Sequence, residues 1–467
     1  MSATAPDAGR LLPRREDLRA MLDLATPVVV IQVGMMLMGV VDTILAGHLS
    51  AVALAAVALG NLYFFGLGVF GMGTLMVLDP VVAQAVGARD HPAVARGIQR
   101  GGLVALMLTV PATLLLLLAE PFMVLARQPS DVVPYAAAYA VHLAPGVLPF
   151  FLFIVLRQSL QSMHLTMPIL VTIVVANLVN AALNWMLIFG HFGAPALGVV
   201  GSAWATTLSR WLLALLLLAL TWRRLRPYLI PARPEIWQWA PLGRMLRLGV
   251  PIGCQYTLEF GAFAFVALMM GWMGIREMAG HQVAINLASL TFMVPLGVAD
   301  AASILVGLAV GRGDLLGTRG AARAAFLCGV GFMSCTAVAF LSLPGPLARL
   351  YTTDGSVIAV AMGLIPLAGV FQVFDGTQVV AGGILRGLGE TKVAMLVNLV
   401  GYWCIGLPVS YLLGFMLGVG PAGLWYGLVL GLAVAATILL LRVRMALARE
   451  RRRVLIDHVP LEPALDS

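Results

Sequence analysis

Five carboxylates stand where carboxylates are costly. Asp42, Asp79, Glu259, Asp300 and Asp375 lie inside long apolar runs, whereas the other acidic residues among the 21 fall in polar segments. An acid in hydrocarbon costs roughly 2.5–3.5 kcal/mol even on lenient insertion scales, so such a group is by default either paired or functional. Asp42 in "GVVDT", Glu259 in "YTLEF" and Asp375 in "FQVFD" have no basic neighbour in sequence. Asn177, Asn180 and Asn184 are spaced i, i+3, i+7 and share one helix face. At about 1.5 Å per helical residue, Asp42 is about 22 Å from Pro27 and Asn180 about 21 Å from Thr166, so the acid and the amide face can meet at one depth. Glu259 is about 12 Å from Pro251 and Asp375 about 16 Å from Arg386, which allows a second polar site. Two adjacent carboxylates cannot both ionise cheaply, so either one holds a proton or Na⁺ keeps both charged. Asp79 and Asp300 lie about 15–18 Å from the arginines that follow them. Both structural and functional readings stay open for these two, and Arg157 is a ready ion-pair partner for Asp79.

The elements that must position these groups follow from composition. The chain is 61% hydrophobic and 11% charged, against roughly 45–50% and 25% in soluble domains, which marks a polytopic membrane protein. Twelve apolar runs read as spanning helices, at 21–47, 52–86, 95–120, 131–161, 167–190, 198–222, 243–272, 278–311, 319–342, 355–385, 391–416 and 421–445. With both termini on one side, 24 of the 29 basic residues share that side, Arg127, Arg276 and Arg349 lie opposite, and Arg157 and Arg210 fall within spans. This asymmetry places both termini in the cytoplasm. It also explains the net charge of +8 by topology and attraction to anionic lipid, leaving no patch for nucleic acid. The first span lacks a cleavage site and is expected to stay in the protein. Cys254, Cys328, Cys335 and Cys404 form no Cys-x-x-Cys pair and read as small apolar residues.

Other signals are weaker. "GLGVFG" (66–71) fits a dinucleotide pattern but lies inside an apolar span, where it reads as close helix packing. Met35, Met36 and Met38 suit ordinary packing better than an adaptable drug surface. Phe371, one turn before Asp375, fits a cation contact and a core position equally well. His142 and His281 read as hydrogen-bonded structural histidines rather than proton relays. No phosphate loop and no His-Glu-x-x-His motif is present, so transport by this chain would draw on an ion gradient, each charge crossing 100 mV supplying about 2.3 kcal/mol.

The chain also repeats. Shifted by 224 positions, "GTLMVLDPVVAQAVGARD" (73–90) overlies "GVADAASILVGLAVGRGD" (297–314), and Pro27 falls on Pro251. Six spans per half is an even number, so the halves are parallel repeats with a site between them. The expected organisation is a tail at 1–20, a six-helix lobe at 21–222, a basic linker at 223–242, a second lobe at 243–445 and a tail at 446–467.

Several motifs, in order along residues 20–445, resemble the multidrug and toxic compound extrusion (MATE) family, particularly its bacterial NorM-like branch: "PVVVIQVGMMLMGVVDTILAGHLSAVALAAVALGN", "LNWMLIFGHFGAPALGVVGSAWAT", "AGHQVAINLASLTFMVPLGVADAASILVG" and "FQVFDGTQVVAGGILRGLGETK". The resemblance implies an all-α, twelve-helix, V-shaped two-lobe antiporter in the bacterial inner membrane. It would export organic cations and amphipathic drugs in exchange for Na⁺ or H⁺ as a monomer without a cofactor. It assigns coupling and drug binding to Asp42, Asn180, Asn184, Glu259 and Asp375. Secondary candidates are Asp79, Asn177, Gln282, Asp300 and Phe371, and Na⁺ would sit with Glu259 and Asp375 or with Asp42 and Asn180. Relatives often carry Tyr where this chain has Phe371, and an uncharged residue at Asp79. The rival readings are a lipid-linked saccharide flippase of related fold, which calls for a cationic cavity, and an intramembrane enzyme, which calls for a metal or prenyl-diphosphate motif.

Overall fold

In hydrocarbon every backbone N–H and C=O must be satisfied within its own segment or barrel. The computed structural model, which describes residues 12–449 and 453–457, meets this demand with helices alone among its regular elements. Twelve are long and apolar enough to cross a membrane: α1 (Arg15–Gly47), α2 (Ala51–Gly87), α3 (His91–Leu117), α4 (Val133–Ser162), α5 (Met167–Phe189), α6 (Val199–Leu229), α7 (Trp239–Met273), α8 (Ile275–Arg312), α9 (Leu315–Ser342), α10 (Gly355–Gly387), α11 (Lys392–Met416) and α12 (Pro421–Leu447). The start of α1, the α6–α7 connection and the end of α12 lie at one end of the bundle, the arginine-rich one, called here the basic face.

Three of these helices are interrupted where sequence periodicity reads a continuous span. α2 consists of Ala51–Leu75 and Leu78–Gly87. Pro80 lacks an N–H, and its ring crowds the carbonyl four residues back, at Met76, which is where the helix breaks. α4 breaks at Ala144–Gly146, around Pro145. α11 contains π-helical turns at Leu399–Gly406 and Leu412–Met416.

The two halves meet through contacts that obey the 224-position shift. A Cβ on Gly73 would fall 2.9 Å from Gly253 Cα, and the equivalent Gly297 would meet Val29 Cα at the same distance. A Cβ on Gly87 would collide with the Leu308 backbone, and one on the equivalent Gly311 with the Gln84 backbone. Gly307 abuts Ala83, its own equivalent, so these two lie on a local two-fold relation between α2 and α8. Helix starts repeat as well: the side chains of Asp90 and Asp314 cap α3 and α9 by accepting from Ala93 N and Gly317 N. The first helix of each half crosses over. Met21, Leu24, Ala25 and Val28 of α1 join a core built from α8–α12, while Leu242, Met245 and Ile252 of α7 join the core of α1–α6.

Candidate functional site

Asp42 sits in α1 five residues before its end and is 2% exposed. Its burial is matched by two donors: Asn184 Nδ2 to Oδ1 and Thr206 Oγ1 to Oδ2, both at 2.7 Å. The amide stripe of α5 runs alongside α1, but it divides its work. Asn177 Nδ2 donates to Gly34 O at 2.9 Å and so ties α5 to the α1 backbone. Asn180, fully buried, lies close enough for its amide to act on Asp42 but without the geometry of a good hydrogen bond, and Asn184, one turn beyond the depth expected from sequence, makes the short bond to the acid. Sequence reading missed Thr206, Tyr139 and Arg210. Tyr139, also fully buried, donates to Asn61 Oδ1 at 3.1 Å. Arg210 lies 8% exposed with its guanidinium 3.7 Å over the Phe64 ring and Nη1 unpaired. Its charge acts on Asp42 from the same core.

A second polar cluster forms in the other half. Glu259 of α7 and Asp375 of α10 lie within electrostatic range of each other. Asn398 Nδ2 donates to Glu259 Oε2 at 3.5 Å, and Gln378 Nε2 donates to Asn398 Oδ1 at 3.1 Å. Asp375 Oδ1 and the Tyr402 hydroxyl are buried without partners. Asn398, the last residue of the α-helical start of α11, and Tyr402, in the π-helical stretch that follows, come here from one helix, and their residue types alone give no signal in the sequence. One turn before Asp375, Gln372 donates to Thr291 and accepts from Thr336, both at 2.6 Å, which fixes α10 between α8 and α9.

Three expectations change. Phe371 packs edge-on against Phe263 and Trp425 at 5.9 and 5.8 Å and is 1% exposed, so it is core. Gln282 is exposed and donates to Asn286 Oδ1 at 3.1 Å, with no hydrogen bond to an acid among the described residues. Asp79 pairs not with Arg157 but with Arg386, whose Nε is 3.4 Å from Asp79 Oδ2. The same guanidinium donates to Asp300 Oδ1 at 2.8 Å. Arg386, placed by the sequence at the cytoplasmic end of its span, is a buried cation, because α10 runs to Gly387 and carries it inside. Arg157 instead donates to Gln32 Oε1 at 3.3 Å. His142 is hydrogen-bonded to Ala138 O at 2.6 Å as expected, whereas His281 Nδ1 is buried and unpaired beside Trp425. Among the described residues no group of three or more His, Cys, Asp or Glu could hold a metal ion. The paired oxygens of Glu259 and Asp375, with an amide alongside, suit a proton or a hard monovalent cation.

The chain is similar to known transporters along nearly its whole length. It is 37% identical over 429 residues to a probable multidrug resistance protein NorM of Rhizobium meliloti, covering 90% of this chain and 92% of the relative. It is 34% identical to the multidrug resistance protein PmpM of Pseudomonas aeruginosa, covering 99% and 98%. The fold matches the crystal structure of the eukaryotic MATE transporter AtDTX14 with a TM-score of 0.84 at 22% identity, over 93% of this chain and 98% of that one. The MatE family model matches twice, at residues 27–186 and 251–412, the two starts separated by the 224 positions of the internal repeat. The chain belongs to the MATE family, whose members are multi-pass membrane transporters and not enzymes.

Proposed function

We propose that this protein is a secondary multidrug exporter that expels organic cations and amphipathic drugs in exchange for Na⁺ or H⁺. Both termini and the α6–α7 linker lie in the cytoplasm of a bacterial cell, on the basic face, and the two halves rock to expose the path alternately. The observation that carries this reading is the pair Glu259 and Asp375: two acids within electrostatic range of each other, backed by amides, with no arginine among the described residues hydrogen-bonded to either. Such a pair gains by taking up a cation or a proton and loses by standing empty. Asp42, with two neutral donors and a nearby Arg210, supplies a third negative group in the other half. Ion and drug then oppose each other through these acids, since linkage requires that an ion which weakens drug binding is itself weakened by drug. The multidrug resistance names of the relatives support the substrate class.

Dye efflux from proteoliposomes under imposed Na⁺ and pH gradients, applied separately, tests the reading and identifies the ion. We expect one gradient to drive export, and Asp375→Asn and Asp42→Asn to lower the driven rate at least tenfold while remaining folded and inserted. Normal export by the folded Asp42→Asn and Asp375→Asn variants would remove these residues from the mechanism.

A further inference from the structure

Arg386 occupies a singular position in the molecule. Besides Asp300 and Asp79, its guanidinium bonds Tyr256 Oη at 3.2 Å, Ser303 Oγ at 3.3 Å and Met76 Sδ at 3.4 Å. Gln32 Nε2 closes the circuit by donating to Asp300 Oδ2 at 2.9 Å, and Arg157 holds Gln32. These residues come from α1, α2 and α4 of the first half and α7, α8 and α10 of the second. Under the 224-position shift, Met76 overlies Asp300, Asp79 overlies Ser303 and Gln32 overlies Tyr256. The one guanidinium is thus surrounded by equivalent positions of both halves, close to the Ala83–Gly307 contact where the halves touch.

The contacts on the two sides differ in kind. Within the second half Arg386 makes hydrogen bonds to a carboxylate and two hydroxyls. Across the divide Asp79 is fully buried, yet neither of its oxygens has a hydrogen bond, so its charge is met through space, chiefly by Arg386 at 3.4 Å and less by Arg157. A buried charge is strongly destabilised when its main opposite charge leaves without water replacing it. If the halves part at the basic face, water reaches both groups and the penalty vanishes. The pair therefore favours either a dry closed interface or a fully wetted open one and disfavours intermediates, which is the property a gate needs. A narrow gap lined by Glu259, Tyr256, Arg386 and Glu390 among others, with room for about one water, separates Glu259 from this guanidinium.

We propose that Asp79, Asp300 and Arg386 are positioning residues that gate the basic face, holding it shut while the opposite face is open. Asp79 and Asp300 then act on transport through the interface and not as ligands of drug or ion. The inference rests on the transporter reading above, but its test does not need transport to be observed. In protein with Cys254, Cys328, Cys335 and Cys404 replaced by Ala, the buried Ala83→Cys reports opening through its reaction with a small charged methanethiosulfonate. We expect Asp79→Asn to raise that labelling rate at least tenfold, and Arg19→Gln, an exposed residue near the start of α1 on the same face, to leave it within twofold. An unchanged rate in Asp79→Asn, or an equal rise in both, overturns the gate.

A second variant leaves the charges intact and covers the case in which Asp79→Asn does not fold. A Cβ on Gly307 would lie 3.0 Å from Ala83 Cβ, about half an ångström shorter than the disulfide range, so a small outward shift suffices. The Ala83→Cys, Gly307→Cys pair should therefore oxidise, and the oxidised protein should stop exporting dye until dithiothreitol restores it. Undiminished export by the oxidised pair overturns the proposal. Absence of dye export by the parent under either gradient would instead count against the transporter reading, while the labelling result stands by itself.

Discussion

Thr206 shows what a single side chain contributes at the candidate site. Serine and threonine in apolar helices usually return their hydroxyl to the carbonyl four residues back, and Ser209 and Thr221 of the same helix do so, to Ala205 and Leu217. Thr206 turns its hydroxyl outward to Asp42. Thr206→Val keeps the shape and removes the donor, leaving one carboxylate oxygen buried without a partner, a loss of about 1–3 kcal/mol. We expect a lower melting temperature in detergent and a weaker dye affinity, measured by fluorescence titration, with Thr206→Ser restoring both. The acids themselves were legible because a charge in an apolar run is conspicuous. Thr206, Tyr139, Asn398 and Tyr402 were not, because their types are unremarkable in a membrane helix and only the packing of a second helix reveals their direction. Asn180 and Asn184 were found as a face, but a depth count from the helix start is uncertain by about one turn, and the short hydrogen bond to Asp42 comes from the later of the two while Asn180 also acts on it.

Among the elements, α11 departs most from regular geometry. Asn398 and Tyr402, spaced i, i+4, share the face toward the acid pair, the π-helical stretch begins directly after Asn398, and π-turns of this kind recur at functional sites. The distortion is seated against α12 by glycines: a Cβ on Gly401 would fall 2.8 Å from Gly431 O. Gly401→Val must push the two helices apart, at a cost of roughly 1–3 kcal/mol from overpacking. We expect it to lower thermal stability and to weaken ion-driven efflux more than dye binding, because the groups it displaces back Glu259. Comparable loss of both would assign α11 a packing role only. The twelve spans were legible from length and hydropathy, and the break in α2 could have been read from Pro80. The π-turns could not, since a shift in hydrogen-bond register leaves hydropathy unchanged.

At the scale of the whole molecule, the parallel repeat was visible in a handful of glycine, proline and aspartate matches, and those residues are the ones whose backbones touch or cap helices. What pairs across the halves was not visible, because an ion pair such as Asp79 with Arg386 joins residues some three hundred positions apart. The same holds for the segment 453–457, which returns from the second half to the first. Ile456 enters the core of α1–α6, Val454 N donates to Gln84 Oε1 at 2.7 Å, and Arg244 Nε donates to Ile456 O at 2.6 Å. Asp457 is bound by Arg100 at 2.6 Å and Arg96 at 2.7 Å, and Arg453 by Asp90 at 3.0 Å. Partial burial pushes the carboxyls of Asp457 and Asp90 up, but their hydrogen bonds and arginine neighbours outweigh it and leave both below the ordinary aspartate range. A depressed folded-state value means that the stabilisation is complete above the unfolded value of about 3.9 and is lost only as pH falls through the lowered one. The segment should therefore stay docked across the neutral range and release only in strong acid. Asp457→Asn removes the charge at every pH, and the residual pair of Arg453 with Asp90 is partly exposed and screened by salt. We expect amide exchange at Val454, read by mass spectrometry at pH 7, to accelerate about tenfold in Asp457→Asn, corresponding to about 1.4 kcal/mol of lost local stability. Raising salt should narrow the difference between the two proteins. Identical exchange in both would mean that Ile456 and the backbone bonds hold the segment without its charges.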